Sequence, residues 1–241
     1  MPVTTILSPH PDDAVLSLWG TLAGPGDVRV INLFAGSPNG RPEPGWWDRM
    51  TGADDAASRS RERLAEDEQA LGLLGRGAMS LGFLDRQYSD RAQPIGSLLE
   101  EVTDALPDDA LVMAPAALSS HRDHFQAREV ALELRRRGMP VTLYADLPHA
   151  TLYGWPASVT GSGGPAYLDA EVYWETKLAG TGASVGEPIV RELTEAELES
   201  KLEAVRCYRT QVTALDARYS ILSRPDLLRY EVLWPLPRVR S

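Results

Sequence analysis

Twice in this chain an apolar, strand-like run stops and gives way within a few residues to histidines and aspartates at the start of a helical segment. The first case is Val3-Thr4-Thr5-Ile6-Leu7 followed by Ser8-Pro9-His10-Pro11-Asp12-Asp13. The second is Val112-Met113-Ala114-Pro115 followed, after a small polar loop, by His121-Arg122-Asp123-His124. Repeated strand-to-helix alternation builds a mainly parallel sheet covered by helices. In open sheets of that kind ligands bind outside the carboxyl ends of the strands. Both clusters fall at that end, and they hold three of the four histidines in the sequence.

The remainder extends the alternation. Residues 28–34, 78–84, 110–114 and 141–144 read as strands, and 14–23, 58–74, 95–106 and 124–137 as helices between them. The charged residues of 58–74 read as a mostly solvated face. The expected architecture is α/β: a Rossmann-like three-layer fold with a mainly parallel sheet and an active site at the C-terminal ends of its strands. Right-handed crossovers permit the first and fourth strands to be neighbours without dictating it. Residues 38–57 carry Pro, Gly and the pair Trp46-Trp47 without clear periodicity and read as a lid or rim loop, in which Trp46 is a candidate substrate contact. Beyond 150 the pattern loosens. Residues 154–165 read as loop, 168–174 alternate as a strand does, and 189–193 and 229–233 read as further strands. Residues 194–219 read as one helix with Thr194 as cap and Glu197 completing a capping box. A single domain over 1–241 is expected, with a core at 3–150 and 151–241 completing the pocket and the packing.

Locally, Pro9 and Pro11 impose extended or turn geometry on their neighbours, which holds His10 on a stiff loop. Asp12 and Asp13 are expected in the first helical turn, where backbone N–H groups favour negative charge. If the two strands adjoin, His10, Asp13 and His124 can converge on one divalent ion. Such a set leaves a coordination position for water, as in catalytic zinc sites. The formal charge of −10, with no basic block to offset it, argues against nucleic acid as partner. No run is long and apolar enough for a membrane span and no secretory segment opens the chain, so a cytoplasmic location is expected. The one cysteine, Cys207, excludes an intramolecular disulfide and reads as packing filler.

The motifs Pro9-His10-Pro11-Asp12-Asp13 and His121-Arg122-Asp123-His124 together resemble those of the LmbE-like, or PIG-L-like, superfamily of zinc-dependent N-deacetylases, which act on N-acetylglucosaminyl and related amino-sugar conjugates. Arg63-Leu64-Ala65-Glu66 through Leu74-Gly75, and Lys201 through Tyr208-Arg209-Thr210-Gln211, are similar to helix patterns of that family. Leu147-Pro148-His149 is similar to a segment that often ends in Tyr there. After the first motif the family often has an acidic residue and a Gly-Gly pair, where this chain has Ala14 and Ser17-Leu18-Trp19-Gly20.

The resemblance implies Zn2+, or another divalent transition metal, held by His10, Asp13 and His124, with Asp12 as general base. It implies His121, protonated, as electrostatic stabiliser or acid, and Asp123 as the group that orients a histidine. It points to Arg49 or Arg59, and to Asp85, on the substrate side, where His149 is also a candidate. Tyr208 and Gln211 read as packing and capping groups. The implied reaction removes an N-acetyl or other N-acyl group from an amino sugar or glycoconjugate. A deacylase acting on a larger specialised-metabolism intermediate, and a non-catalytic sugar-binding protein on the same fold, are the alternatives. A dinucleotide-binding reading lacks its Gly-rich phosphate loop. The expected partner is a small-molecule glycoconjugate, and a homo-oligomer is left open.

Overall fold

The structure, a computed structural model, describes residues 2–39, 43–161 and 169–238. Its sheet contains β1 (Thr4–Ser8), β2 (Val28–Asn32), β3 (Ala78–Ser80), β4 (Leu111–Pro115), β5 (Val141–Tyr144), β6 (Ile189–Glu192) and β7 (Tyr230–Pro235). The spatial order is β3-β2-β1-β4-β5-β7-β6. The first five strands pair in parallel, whereas β7 runs antiparallel between β5 and β6. Strand β1 sits at the middle of the parallel part, with Thr4 opposite Leu111 and Ile6 opposite Met113. Covered on both faces, it holds Thr5, Ile6 and Leu7 out of solvent, which is why its sequence is a continuous apolar β-branched run without alternation. From β1 the chain winds outward through β2 and β3, then returns to the other side for β4 and β5. The β1/β4 boundary is therefore the topological switch point, where a crevice opens at the strand ends.

The helices are α1 (Asp13–Ala23), α2 (Trp46–Met50), α3 (Ala56–Gly72), α4 (Ile95–Ala105), α5 (Arg122–Arg136), α6 (Ala157–Thr160), α7 (Ala170–Leu178), α8 (Glu195–Cys207) and α9 (Arg209–Tyr219). No helix among the described residues is long and apolar enough to cross a membrane.

Several elements differ from the sequence-based expectation. The segment expected as a strand over 168–174 is helical from Ala170, with Asp169 as its cap accepting from the N–H groups of Glu171 and Val172. Its buried residues Ala170, Trp174 and Leu178 recur every four positions, a helical period that the local alternation obscured. Leu168, and 162–165 of the expected loop, lie outside the described residues. Strand β3 ends at Ser80 rather than continuing to 84. The expected loop over 38–57 contains α2, and α3 begins at Ala56, where Asp55 accepts from Ser58 N–H at 2.6 Å.

The expected helix over 194–219 breaks at Tyr208, which has φ −78° and ψ 56°. Glu66 explains how the break is tolerated: its carboxylate accepts from the Thr210 N–H at 2.9 Å and hydroxyl at 2.7 Å, satisfying a donor that the new helix start exposes. The charged face of α3 is likewise not mainly solvated, since Arg59, Arg63, Glu66 and Asp67 are all buried.

Trp174 joins the C-terminal elements to this body. It is fully buried, packs edge-to-face on Trp155 and Trp234, and donates from Nε1 to the Ala150 carbonyl at 3.1 Å. Trp174→Ala leaves a cavity and an unpaired carbonyl, and is expected to cost about 3–5 kcal/mol. A urea titration should show the midpoint falling at unchanged slope.

Candidate metal centre and active-site cavity

The loop after β1 is held by its own short-range bonds. Ser8 Oγ donates to the His10 carbonyl at 2.7 Å and accepts from Ala14 N–H at 3.1 Å, while His10 N–H donates to Asp13 Oδ2 at 2.9 Å. The same Asp13 oxygen lies 3.2 Å from His10 Nδ1 and 3.4 Å from His124 Nε2. Ligand atoms at zinc distances of 2.0–2.2 Å sit about 3.3 Å apart around a tetrahedral ion. His10, Asp13 and His124 are buried, and their ligand atoms lie within 4.8 Å of one another. Among the described residues His124 Nε2 has no hydrogen-bond partner, a costly state for a buried ring nitrogen unless something else occupies it. The set therefore fits a divalent cation.

Each imidazole is oriented from behind. Asp123 Oδ2 lies 3.2 Å from His10 Nε2, and Asp146 Oδ2 lies 2.9 Å from His124 Nδ1. Carboxylates so placed fix the tautomer that leaves the other nitrogen free for a metal. Asp146, at the end of β5, was not singled out from the sequence. It also accepts from Leu118 N–H at 2.9 Å, so it ties the β4 loop to the same point. Asp146→Asn is expected to weaken metal binding about 10- to 100-fold, measured by competition with a chelating dye. A second cluster, His10, His121 and Asp123, is also compact. There, however, Asp123 Oδ2 already accepts from Arg86 N–H at 2.9 Å and faces His10 Nε2.

Asp12 is not in the helix as expected. It precedes Asp13 with φ 134° and makes no side-chain capping bond. A non-glycine residue on this side of the map carries about 1–3 kcal/mol of backbone strain, tolerated where the surroundings enforce it. The result is a carboxylate that lines the cavity without a hydrogen bond to any described residue. Burial first, then the neighbouring Asp13, push its pKa up to about 7. For Asp13 burial works in the same direction, but His124 and His10 outweigh it and hold the group well below the usual carboxylate range. Burial would lower both His10 and His124. Asp85, Asp123 and Asp13 raise the first instead, and Asp13 and Asp146 raise the second.

His121 caps α5 and accepts the Asp123 N–H at 3.3 Å through Nδ1. Burial, then the neighbouring His10, His124 and His149 rings, hold its pKa far below the usual histidine value. An Nδ1 that accepts the Asp123 N–H belongs to a neutral ring with its proton on Nε2, whereas the sequence-based expectation is a protonated His121. Asp85 is buried and paired with Arg63 at 3.1 Å, and lies 3.9 Å from His10 Nε2. Arg63 lines the cavity. Neither Arg49 nor Arg59 does: Arg49 donates to the Pro44 carbonyl, and Arg59 binds Glu62 and Thr51.

The crevice opens into a cavity of about 460 Å³. His149 lines it with Nδ1 2.9 Å from Tyr219 Oη, and burial with His124 lowers its pKa to about 4. Trp46 and Trp47 line it as well; Trp47 Nε1 donates to Gln211 Oε1, so Gln211 belongs to the cavity wall as well as to the packing. Tyr208, by contrast, is buried and donates to Asp67 at 2.7 Å, as expected of a packing residue.

A Rossmann-like sheet with two histidines, a carboxylate and a second aspartate gathered at its switch point is an α/β fold with a candidate metal centre. The chain belongs to the GlcNAc-PI de-N-acetylase (PIG-L) family, whose model matches residues 5–134. Over 165 residues it is 32% identical to the 2'-N-acetylparomamine deacetylase of Streptomyces fradiae, a match covering 61% of this chain and 57% of that enzyme. The match thus spans less than two thirds of that relative. The fold is similar to the crystal structure of the A40926 pseudoaglycone deacetylase Dbv21, with 28% identity and a TM-score of 0.72 over 100% of this chain and 99% of that one. It is similar also to a triple mutant of a deacetylase of the teicoplanin biosynthetic pathway, with 25% identity and a TM-score of 0.75 over 99% of each chain.

Proposed function

We propose that this chain is a metal-dependent hydrolase that removes an N-acetyl or other N-acyl group from an amino sugar or glycoconjugate. The observation that carries the reading is the convergence of His10 Nδ1 and His124 Nε2 on Asp13 Oδ2, at 3.2 and 3.4 Å, beside the carboxylate of Asp12, which makes no capping bond. Family membership and the deacetylases it resembles support it.

His10, Asp13 and His124 would hold the ion, with Zn2+ suited to a two-nitrogen, one-oxygen set. Bound there, it supplies Lewis acidity toward the amide carbonyl and toward water. Asp12 is the general base: it takes a proton from the water that attacks the acyl carbon. His121, a lining residue, donates a hydrogen bond from Nε2–H to the carbonyl oxygen as charge builds on it. The C–N bond then breaks, the amine leaves with the proton that Asp12 returns, and the acyl group departs as a carboxylic acid. Asp123 and Asp146 hold the two ligand rings through their far nitrogens. The test is acetate release from a panel of N-acetylated amino sugars and glycosides, with zinc-loaded protein and with chelator. Turnover of none of them by zinc-loaded protein would sink the reading.

A further inference from the structure

The cavity is charged in an uneven way. Its acidic lining residues are Asp12, Asp13 and Asp85, each less than 10% exposed. Asp13 belongs to the metal centre and Asp85 pairs with Arg63. The exposed charged groups of the lining are Arg86 and Arg218. A third cation stands at the same mouth: Lys177 Nζ lies 3.4 Å from the hydroxyl of Ser120, a lining residue, and 5.5 Å over the Tyr173 ring. In a chain of net charge −10 this is a local reversal of sign. Such a mouth attracts an anion, and among the described lining residues it offers a polycation no exposed carboxylate.

The same mouth is aromatic. Trp46 is 41% and Tyr153 39% exposed, although both line the cavity. Each stands edge-to-face with a second lining ring, Trp46 with Trp47 at 5.6 Å and Tyr153 with Tyr173 at 5.0 Å. Leu152, 45% exposed, adds to this surface. Large apolar groups left open on a concave surface mark ligand contacts. A cavity of about 460 Å³ lies in the range that encloses a drug-sized ligand, which leaves room beyond one sugar ring.

We propose that the outer half of this cavity binds an aromatic aglycone bearing an anionic group, so that the substrate is an N-acylamino sugar attached to such an aglycone and not a polycationic aminoglycoside. The proposal rests on the deacylase reading above for the reacting end and identifies what lies at the other. Stacking on Trp46 and Tyr153 supplies affinity, and Arg218 with Arg86 pairs the anion.

Four N-acetylated ligands test it on the zinc-loaded full chain: the 4-carboxyphenyl, phenyl and methyl glycosides of N-acetylglucosamine, and 2'-N-acetylparomamine. Values of kcat/KM are measured on the native sequence, and Kd by calorimetry on Asp12→Asn. The order should be carboxyphenyl, phenyl, methyl, with the paromamine derivative at least tenfold below the first. Trp46→Ala should shrink the phenyl-to-methyl ratio several-fold. Arg218→Gln, and independently Arg86→Gln, should narrow the carboxyphenyl-to-phenyl ratio, as should 0.5 M salt. Equal or better binding of the paromamine derivative, or ratios untouched by all three variants, overturns the proposal. Hydrolysis without the ranking defeats this inference alone, whereas the affinity ranking without any hydrolysis upholds it and defeats the deacylase reading.

Discussion

Asp12→Asn is expected to lower kcat by about two to four orders of magnitude, the range a positioned general base contributes, while metal content stays at the native level. Asparagine has the same shape, so the position at φ 134° keeps a side chain of the same size. Alanine would confound the result by removing side-chain volume together with the carboxylate. The sign of the pH dependence follows from the role: a protonated carboxyl cannot accept the proton of water, so kcat/KM falls as pH drops through the Asp12 pKa. Burial and Asp13 push that value up to about 7 in the metal-free protein. A cation held by the neighbouring ligands draws it down, which places the acid limb below 7. Residual activity in Asp12→Asn should lack that limb. An unchanged kcat with metal retained would remove Asp12 from the mechanism.

Removing the metal is expected to abolish turnover and to leave a distinct mark on stability. In the metal-free protein the pKa values of His10 and His124 are raised: burial opposes the shift, but the surrounding aspartates outweigh it. A histidine with a raised folded-state pKa contributes stability fully present below about 6.5, its unfolded value, and loses it as pH rises through the folded value. Metal binding has the opposite slope, since its ligands must be deprotonated. The difference in Tm between zinc-loaded and metal-free protein should therefore widen as pH rises above 6.5. Lys201, whose pKa burial lowers to about 8, becomes less destabilising from about 8 upward, but it does so in both forms and cancels in the difference. A Tm difference that narrows with rising pH would count against these three ligands. Differential scanning fluorimetry across pH 6 to 10 makes the comparison.

Much of the centre was legible because it is local. Two apolar runs, each ending in a short charged motif before a helix, are enough to place His10, Asp13 and His124 at one end of a parallel sheet. The β1/β4 adjacency that brings them together is a fold-level consequence of the winding. What escaped is where a single residue owes its role to distant packing. Asp146 follows β5 at the same sheet end as the two clusters, and that position was the available signal, but a lone Asp before Leu-Pro-His carries no motif. Arg63, Glu66 and Asp67 form a polar stripe on α3, and polar periodicity reads as a solvated face. Here it is buried because Asp85, Thr210 and Tyr208 supply its partners from 22 or more residues away in sequence. The helical start at Ala170 was masked by a local alternation that the Asp169 cap overrides.

The sheet order separates the groups proposed to break the bond from much of the rest of the cavity lining. Asp12 and the three proposed ligands lie on the loops and first helical turns that follow β1 and β4, at the centre of the sheet and inside the segment 5–134 that the family model matches. His149, Tyr153, Tyr173, Arg218 and Tyr219 come later, from a portion fastened to the sheet through the antiparallel β7–β6 pair at its border. A graft of that later portion between relatives is expected to change the molecule accepted and to leave the proposed hydrolytic groups in place, with Asp146 as the residue that any such splice must keep.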